Sequence, residues 1–198
     1  MNITGNFMDN ISKDNILKLE HEKVSEVIIG IKPVDSIYQT LLNVATKGEM
    51  KKRLEQMGIS DLIHPFVIFK FENTQLPLYV YERVDRINFE QLGTLEEDTK
   101  VFQPPTAVGK RLGVLIQNHI NYLGGTYDSI IKYDPQNQNS QIFVKGFLDS
   151  NNLNDKKLQE FYKQPTEKIM KGFTKTNELV NKITMLGLAV DILMGNGY

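Results

Sequence analysis

The three histidines are the first residues to consider for catalysis or metal binding. His21, His64 and His119 fall in different predicted elements, and no two of them have the spacing of a metal-binding pair. An imidazole can act as a metal ligand, a general base or a proton shuttle, but a structural histidine is the more common case. From these residues the sequence predicts neither a catalytic triad nor a metal site.

Acidic residues cluster at Glu96-Glu97-Asp98, with Asp85 and Glu90 nearby. A divalent cation needs several oxygen ligands at regular spacing, and a calcium loop ends in a glutamate that binds through both oxygens. The spacing here does not match such a loop. The cluster therefore predicts a solvated acidic loop, and the chain is expected to bind no cofactor.

Short basic and glycine-containing segments give no nucleotide or nucleic-acid motif. Ala107-Val108-Gly109-Lys110 superficially matches a phosphate loop, but Pro104 stands where that motif has a glycine and Arg111 stands where it has Ser or Thr. The basic segments Lys51-Lys52-Arg53 and Lys110-Arg111 lack interleaved aromatic residues, so they predict exposed helix faces. With 23 basic and 24 acidic side chains, no overall charge favours nucleic-acid recognition.

The composition is that of a globular protein and excludes chemistry based on thiols. The chain has 198 residues, 40% hydrophobic, and no cysteine, which rules out disulfides, thiol catalysis and zinc–thiolate sites. Its first ten residues lack a basic start followed by an apolar run, so we expect cytoplasmic synthesis. The most apolar stretch, Ile183 to Met194, is shorter than the about 20 residues that span a bilayer, so we expect no membrane insertion.

The first quarter of the chain is expected to be helical. Ser12 predicts the start of a helix that extends to Ile29, although Val27 to Ile31 equally fits a short strand. Ser36 and Gln39 fit the capping box of a second helix.

The middle of the chain is rich in predicted strands. Phe66 to Phe71 and Leu78 to Tyr81 form the clearest hairpin, and Val84 to Phe89 could add a third strand. Val108 to Leu123 has both helical and alternating spacing, and a helix is favoured. Two further strands, Tyr127 to Tyr133 and Gln141 to Leu148, are expected to flank a polar loop.

The clearest periodic pattern lies at the end of the chain. After a short helix near Leu158 to Tyr162, Pro165 is expected to open a long helix. Its apolar residues are spaced alternately by four and by three, which predicts a seam that packs within the protein or against a partner. They are Ile169, Phe173, Thr176, Val180, Ile183, Gly187, Val190 and Met194.

These elements predict an α+β fold: an antiparallel β-sandwich or small barrel with N-terminal helices and a long C-terminal helix. The expected regions are a helical segment 1–62, a β-rich core 63–152 and a helical segment 153–198.

The hairpins, the extended segment Gln103-Pro104-Pro105 and the flanking helices resemble small tail-tube, tail-initiator or baseplate proteins of contractile phages and related injection particles. The resemblance covers about Pro65 to Asn152. It implies a subunit of a homo-oligomeric ring whose hairpins continue a sheet between subunits, in contact with other tail or baseplate proteins. The terminal helices exceed a minimal tube subunit, which makes an adaptor or initiator position at least as consistent as the tube itself.

The leading hypothesis is therefore a non-enzymatic structural subunit of such a particle. Its interface residues would lie on the hairpin and on the final helix, although alternation on paired strands is more typical of a core. They are Phe69, Phe71, Tyr79, Tyr81, Phe173, Val180, Ile183 and Val190. One alternative is a bacterial adaptor or regulatory module that dimerises through the final helix. Another is a ligand-binding enzyme that uses His64, His119 or Asp85.

Overall fold

The structure, a computed structural model, describes residues 8–34, 36–84, 86–124 and 139–171. These residues form an α+β fold built on an antiparallel six-stranded sheet. The strands are β1 Lys23–Pro33, β2 Ile63–Phe71, β3 Tyr79–Arg83, β4 Ile87–Gln91, β5 Lys100–Val101 and β6 Thr106–Arg111. The helices in these ranges are α1 Asn10–Leu19, α2 Ser36–Ala45, α3 Glu49–Gln56, α4 Leu112–Tyr122, α5 Ser140–Ser150, α6 Lys156–Tyr162 and α7 Thr166–Met170.

Strand β1 is central to the sheet. The strand order is β4-β3-β2-β1-β5, and β6 also pairs with β1. Because β2 occupies one side of β1 along its length, β5 and β6 share the other side, with β5 at Gly30 and Ile31. Among the described residues, the sheet therefore ends at β4 on one edge and at β6 and β5 on the other.

The predicted helix from Ser12 to Ile29 is wrong over its second half. The chain turns after Leu19, where the Glu22 amide donates to the Leu19 carbonyl, and β1 begins at Lys23. The strand interpretation of Val27 to Ile31 is the correct one, because Val27 and Ile29 are buried on one face of the sheet.

The hairpin predicted from Phe66 to Tyr81 is confirmed. Val67 faces Tyr81 and Phe69 faces Tyr79 across the β2–β3 ladder. The third predicted strand, Val84 to Phe89, is confirmed only from Ile87 onward: β4 spans Ile87–Gln91 and pairs with Tyr79–Arg83 of β3. The helix favoured within Val108 to Leu123 is α4, preceded by strand β6.

The predicted strand from Gln141 to Leu148 is wrong, because these residues lie in helix α5. The Asn139 side chain accepts hydrogen bonds from the amides of Gln141 and Ile142 and so caps the helix. Phe143 and Phe147, four residues apart, then share one buried face. The neighbouring strand predicted from Tyr127 to Tyr133 lies outside the described residues.

One face of the sheet carries the main core. Helices α1, α4, α5 and α6 pack with the strands around buried side chains such as Val67, Phe69 and Tyr81. The described residues thus form a single sheet covered by helices, where the sequence led us to expect two packed sheets or a barrel. The long C-terminal helix predicted from Pro165 is not confirmed: helix α7 has five residues and ends at Met170, because Lys171 has a non-helical ψ of 124°. The rest of the predicted helix lies outside the described residues.

A smaller cluster joins α7 to the α2–α3 pair. Leu42, Met50, Leu54 and Ile169 are buried together. The Arg53 guanidinium donates to the Ile169 carbonyl at 2.8 Å, at the carboxyl end of α7, where a cation is favoured. The predicted helical region 1–62 also contains β1, which lies at the centre of the sheet. The boundary expected at residue 62 therefore does not separate helices from strands.

None of the helices in the described ranges is both long and apolar enough to span a bilayer.

Gly30 provides a test of the packing on the opposite face of the sheet. A Cβ at this position would lie 2.5 Å from two ring atoms of Phe66, which is buried and faces Gly30 across the ladder. We expect Gly30→Ala to lower the free energy of unfolding by about 1–3 kcal/mol, because the ring has to shift. Urea unfolding measures the change.

The matched control is Gly93→Ala, since a Cβ there meets no atom within 4 Å. This variant should stay within about 0.5 kcal/mol of the parent. Equal stability of the two variants would contradict the packing described for Phe66.

Candidate functional site

The four hairpin residues predicted as an interface lie in the interior. Phe69 and Tyr81 are 0% exposed, and Phe71 and Tyr79 are buried as well. They face the helical layer because residues of one parity on β2 and β3 point to the same side. They are therefore core residues, which corrects their predicted role as a contact surface. Phe173, Val180, Ile183 and Val190 lie outside the described residues.

Tyr81 is at the centre of this interior. Its ring contacts Phe69, Phe89, Phe143 and Phe147, with centroids 4.9 to 6.4 Å apart. Several of these pairs are tilted or edge-to-face, which is the favoured geometry for aromatic rings. The cluster fixes α5 on the sheet and gives the hairpin aromatics a structural role.

A buried polar pair completes the aromatic cluster. The Tyr81 hydroxyl lies 3.0 Å from Nδ1 of His119, and both residues are 0% exposed. Burial lowers the pKa of His119 to about 3, assisted by the charge of Arg83 and opposed by the Phe143 backbone. Burial also raises the pKa of Tyr81 above its ordinary value. Both groups are neutral near pH 7 and out of contact with solvent, so the pair acts as a structural hydrogen bond.

A second polar network holds the amino end of α5 against the start of β2. Gln164, between α6 and α7, donates from its backbone amide to the Gln141 side chain at 2.8 Å. Its side chain accepts from the Ile63 amide at 3.0 Å and donates to the Asp61 carbonyl at 2.7 Å. The side chains of Gln164 and Gln141 thus form hydrogen bonds with backbone amides and a carbonyl that have no partner in a helix or a strand ladder.

His64 forms a partly buried pair of titratable groups with a residue of another strand. Its Nε2 lies 2.9 Å from Oε2 of Glu82 on β3, and the two side chains are 16% and 17% exposed. Burial alone would raise the pKa of Glu82, but the hydrogen bond and charge of His64, with the charge of Lys32, lower it. This arrangement stabilises the charged carboxylate of Glu82 and joins the start of β2 to β3.

The other residues considered for chemistry are dispersed. His21 is largely exposed at the end of α1, and Asp85 lies outside the described residues. Within residues 8–34, 36–84, 86–124 and 139–171, no group of three His, Asp or Glu side chains could hold a metal ion.

The two edges of the sheet differ in how their backbone groups are satisfied. At β4, the Phe89 amide donates to Ser12 Oγ at 2.8 Å, and the Phe89 carbonyl accepts from the Asn15 side chain at 3.1 Å. Met8 adds a parallel bridge to Ile87. Helix α1 therefore covers the β4 edge with side chains that supply the missing hydrogen bonds.

The β6 edge is exposed. Ala107, Gly109, Lys110 and Arg111 are exposed, and Thr106 and Val108 are partly so. Gly109 has a positive φ of 68° at an irregularity opposite Ser25, where two residues of β6 face one residue of β1. The structure thus corrects the predicted helical placement of Lys110 and Arg111: they lie on this edge strand.

The features that sequence reasoning missed depend on contacts between distant segments. Ser12 has the type of residue that caps a helix, yet the cap is Asp9, and Ser12 is buried against β4. The pair of Glu82 with His64 was also missed, because no sequence pattern connects two residues that are 18 positions apart.

No protein-family model, curated protein or solved structure matches this chain.

His119 generates a pH prediction. Its folded pKa of about 3 lies below the ordinary 6.5, so the unfolded chain binds the proton first as the pH falls. The free energy of unfolding should therefore decrease below about pH 6.5, by about 2 kcal/mol between pH 7 and pH 5. His119→Gln should flatten this dependence, as measured by urea unfolding at a series of pH values.

His21→Gln is the control, because the His21 side chain is 81% exposed. It should keep the parent's pH dependence. If His119→Gln retained the full slope over this range, the buried neutral histidine would be refuted.

Proposed function

We propose that this chain is a non-enzymatic structural subunit of a phage-like tail or injection assembly, in an adaptor or initiator position. The observation that carries the proposal is the asymmetry of the sheet: α1 covers the β4 edge, and the β6 edge is exposed. A strand edge of this kind is a template for pairing with another chain. The resemblance of the hairpin and flanking helices to tail and baseplate proteins supports the same assignment.

The asymmetry favours an end position over a repeating one. A ring whose sheet runs continuously through identical subunits needs two open edges on each subunit. Here Ser12 and Asn15 already occupy the backbone groups of Phe89 on the β4 edge. Sheet addition is therefore one-sided in this proposal, and contact between copies would depend on the C-terminal residues.

The predicted apolar seam of the last helix is the second proposed contact. Phe173, Val180, Ile183 and Val190 would form this seam, either in a homo-oligomer or against another tail or baseplate protein. The proposed sites of action are the cytoplasm, where the chain is made, and the tail of the assembled particle. A bacterial adaptor that dimerises through the same helix is the alternative proposal.

The test is assembly of the purified chain with the proteins encoded by neighbouring genes. Mass photometry and negative-stain electron microscopy should show a complex of defined stoichiometry, because the exposed edge and the seam both require a partner. Monomers in every mixture would contradict the proposal.

The variant Val180→Asp with Ile183→Asp separates the two proposed contacts. Loss of homo-oligomers with retention of the partner complex would assign self-association to the seam and partner binding to the sheet. Loss of both would place both contacts on the seam and would remove the sheet edge from the proposal.

A further inference from the structure

We propose that the β6 edge binds an extended acidic segment of a different protein as an added strand. This inference names the partner chemistry of the proposed assembly function and rests on it. It is carried by the charges along β6 and by the way α1 closes the opposite edge.

The exposed end of β6 is positively charged. Lys110 and Arg111 are both exposed, and neither has an ion-pair partner among the described residues. Lys23 lies directly across the ladder from Arg111, and its nearest carboxylate, Glu72, is 3.9 Å away. The two cations of β6 and Lys23, which forms an ion pair with Glu72, therefore lie at the same end of this edge.

The carboxylates around this end of β1 have other contacts. Glu26, which faces Ala107, lies 3.2 Å from the ammonium of Lys70 on β2. Glu20 lies 3.4 Å from His21 at the turn after α1. Glu26 is thus paired with a cation of β2, and the charged side chains of β6 itself are Lys110 and Arg111.

A second copy of this chain is a poor occupant for the edge. Two β6 strands would pair antiparallel across a two-fold axis, and because β6 contains no acidic residue, Lys110 and Arg111 of each copy would find no opposite charge on the other strand. Pairing of β6 with β4 would require α1 to leave, although Ile16 and Leu19 of α1 are buried in the main core. The favoured occupant is therefore another protein.

The strand itself adds selectivity. Lysine and a bulge on an edge strand protect it from unspecific pairing with other strands. A neutral strand forms no ion pairs with the lysine, and it has to match the irregular register of the bulged strand. An acidic segment gains charge pairs with Lys23, Lys110 and Arg111 that a neutral or basic segment lacks. The same features that prevent aggregation thus select one class of partner.

The experiment uses the full chain and a synthetic eight-residue peptide that alternates glutamate with valine. Fluorescence anisotropy at low ionic strength should detect binding. The double variant Lys110→Glu with Arg111→Glu should weaken it roughly tenfold or more, because attraction becomes repulsion. The matched control is Lys51→Glu with Lys52→Glu, which makes the same charge change at two exposed positions of α3. It should bind the peptide as the parent does.

Two further measurements separate strand addition from simple attraction. The same peptide with N-methyl groups on alternate amides keeps its charge but loses strand hydrogen bonds, and it should not bind. Circular dichroism checks that each variant is folded; if the double glutamate variant is not, Lys110→Gln with Arg111→Gln replaces it and should also bind more weakly.

Equal loss of binding in the β6 and α3 variants, or full binding of the N-methylated peptide, would overturn the inference. Absence of binding by the parent would overturn it as well. The peptide measurements use the isolated chain, so a negative result would refute acidic strand addition and would not decide the proposed assembly function. The assembly experiment tests that function, and monomers there would refute it without changing the peptide result.

Discussion

The backbone groups at the borders of the sheet impose the constraint on which the account depends. A peptide amide or carbonyl that leaves water needs a partner, and a strand at a sheet border presents a row of them. At Phe89 these partners are the side chains of Ser12 and Asn15, so α1 both packs on the core and closes one border. The other border, β6, is exposed and carries charge. The direction in which the sheet can accept another strand follows from this difference.

The interior explains why the hairpin is so rich in aromatic residues. Phe69, Tyr81, Phe143 and Phe147 bring together two strands and helix α5, and His119 supplies the one polar contact that the Tyr81 hydroxyl needs. A cluster of this kind holds the helical layer on the sheet. It leaves the sheet borders and the helix surfaces as the parts of the described fold that can contact another molecule.

Local patterns predicted the elements whose signals lie within a few residues. The hairpin from Phe66 to Tyr81 and helix α4 are of this kind, because alternation and helical spacing reflect the face that each element buries. The segment from Gln141 to Leu148 has strand-like composition, and the Asn139 cap with the pairing of Phe143 and Phe147 against β2 and β3 makes it a helix. The closure of β4 by α1 and the pairing of His64 with Glu82 could not be predicted, since each joins residues whose proximity only the fold creates.

Amide hydrogen exchange of the free chain, measured residue by residue, tests the asymmetry of the sheet most directly. The account predicts that the Phe89 amide exchanges slowly, because Ser12 accepts its hydrogen bond, and that the β6 amides pointing away from β1 exchange quickly. Slow exchange along the whole of β6, or exchange at Phe89 as fast as at the β6 edge, would contradict it.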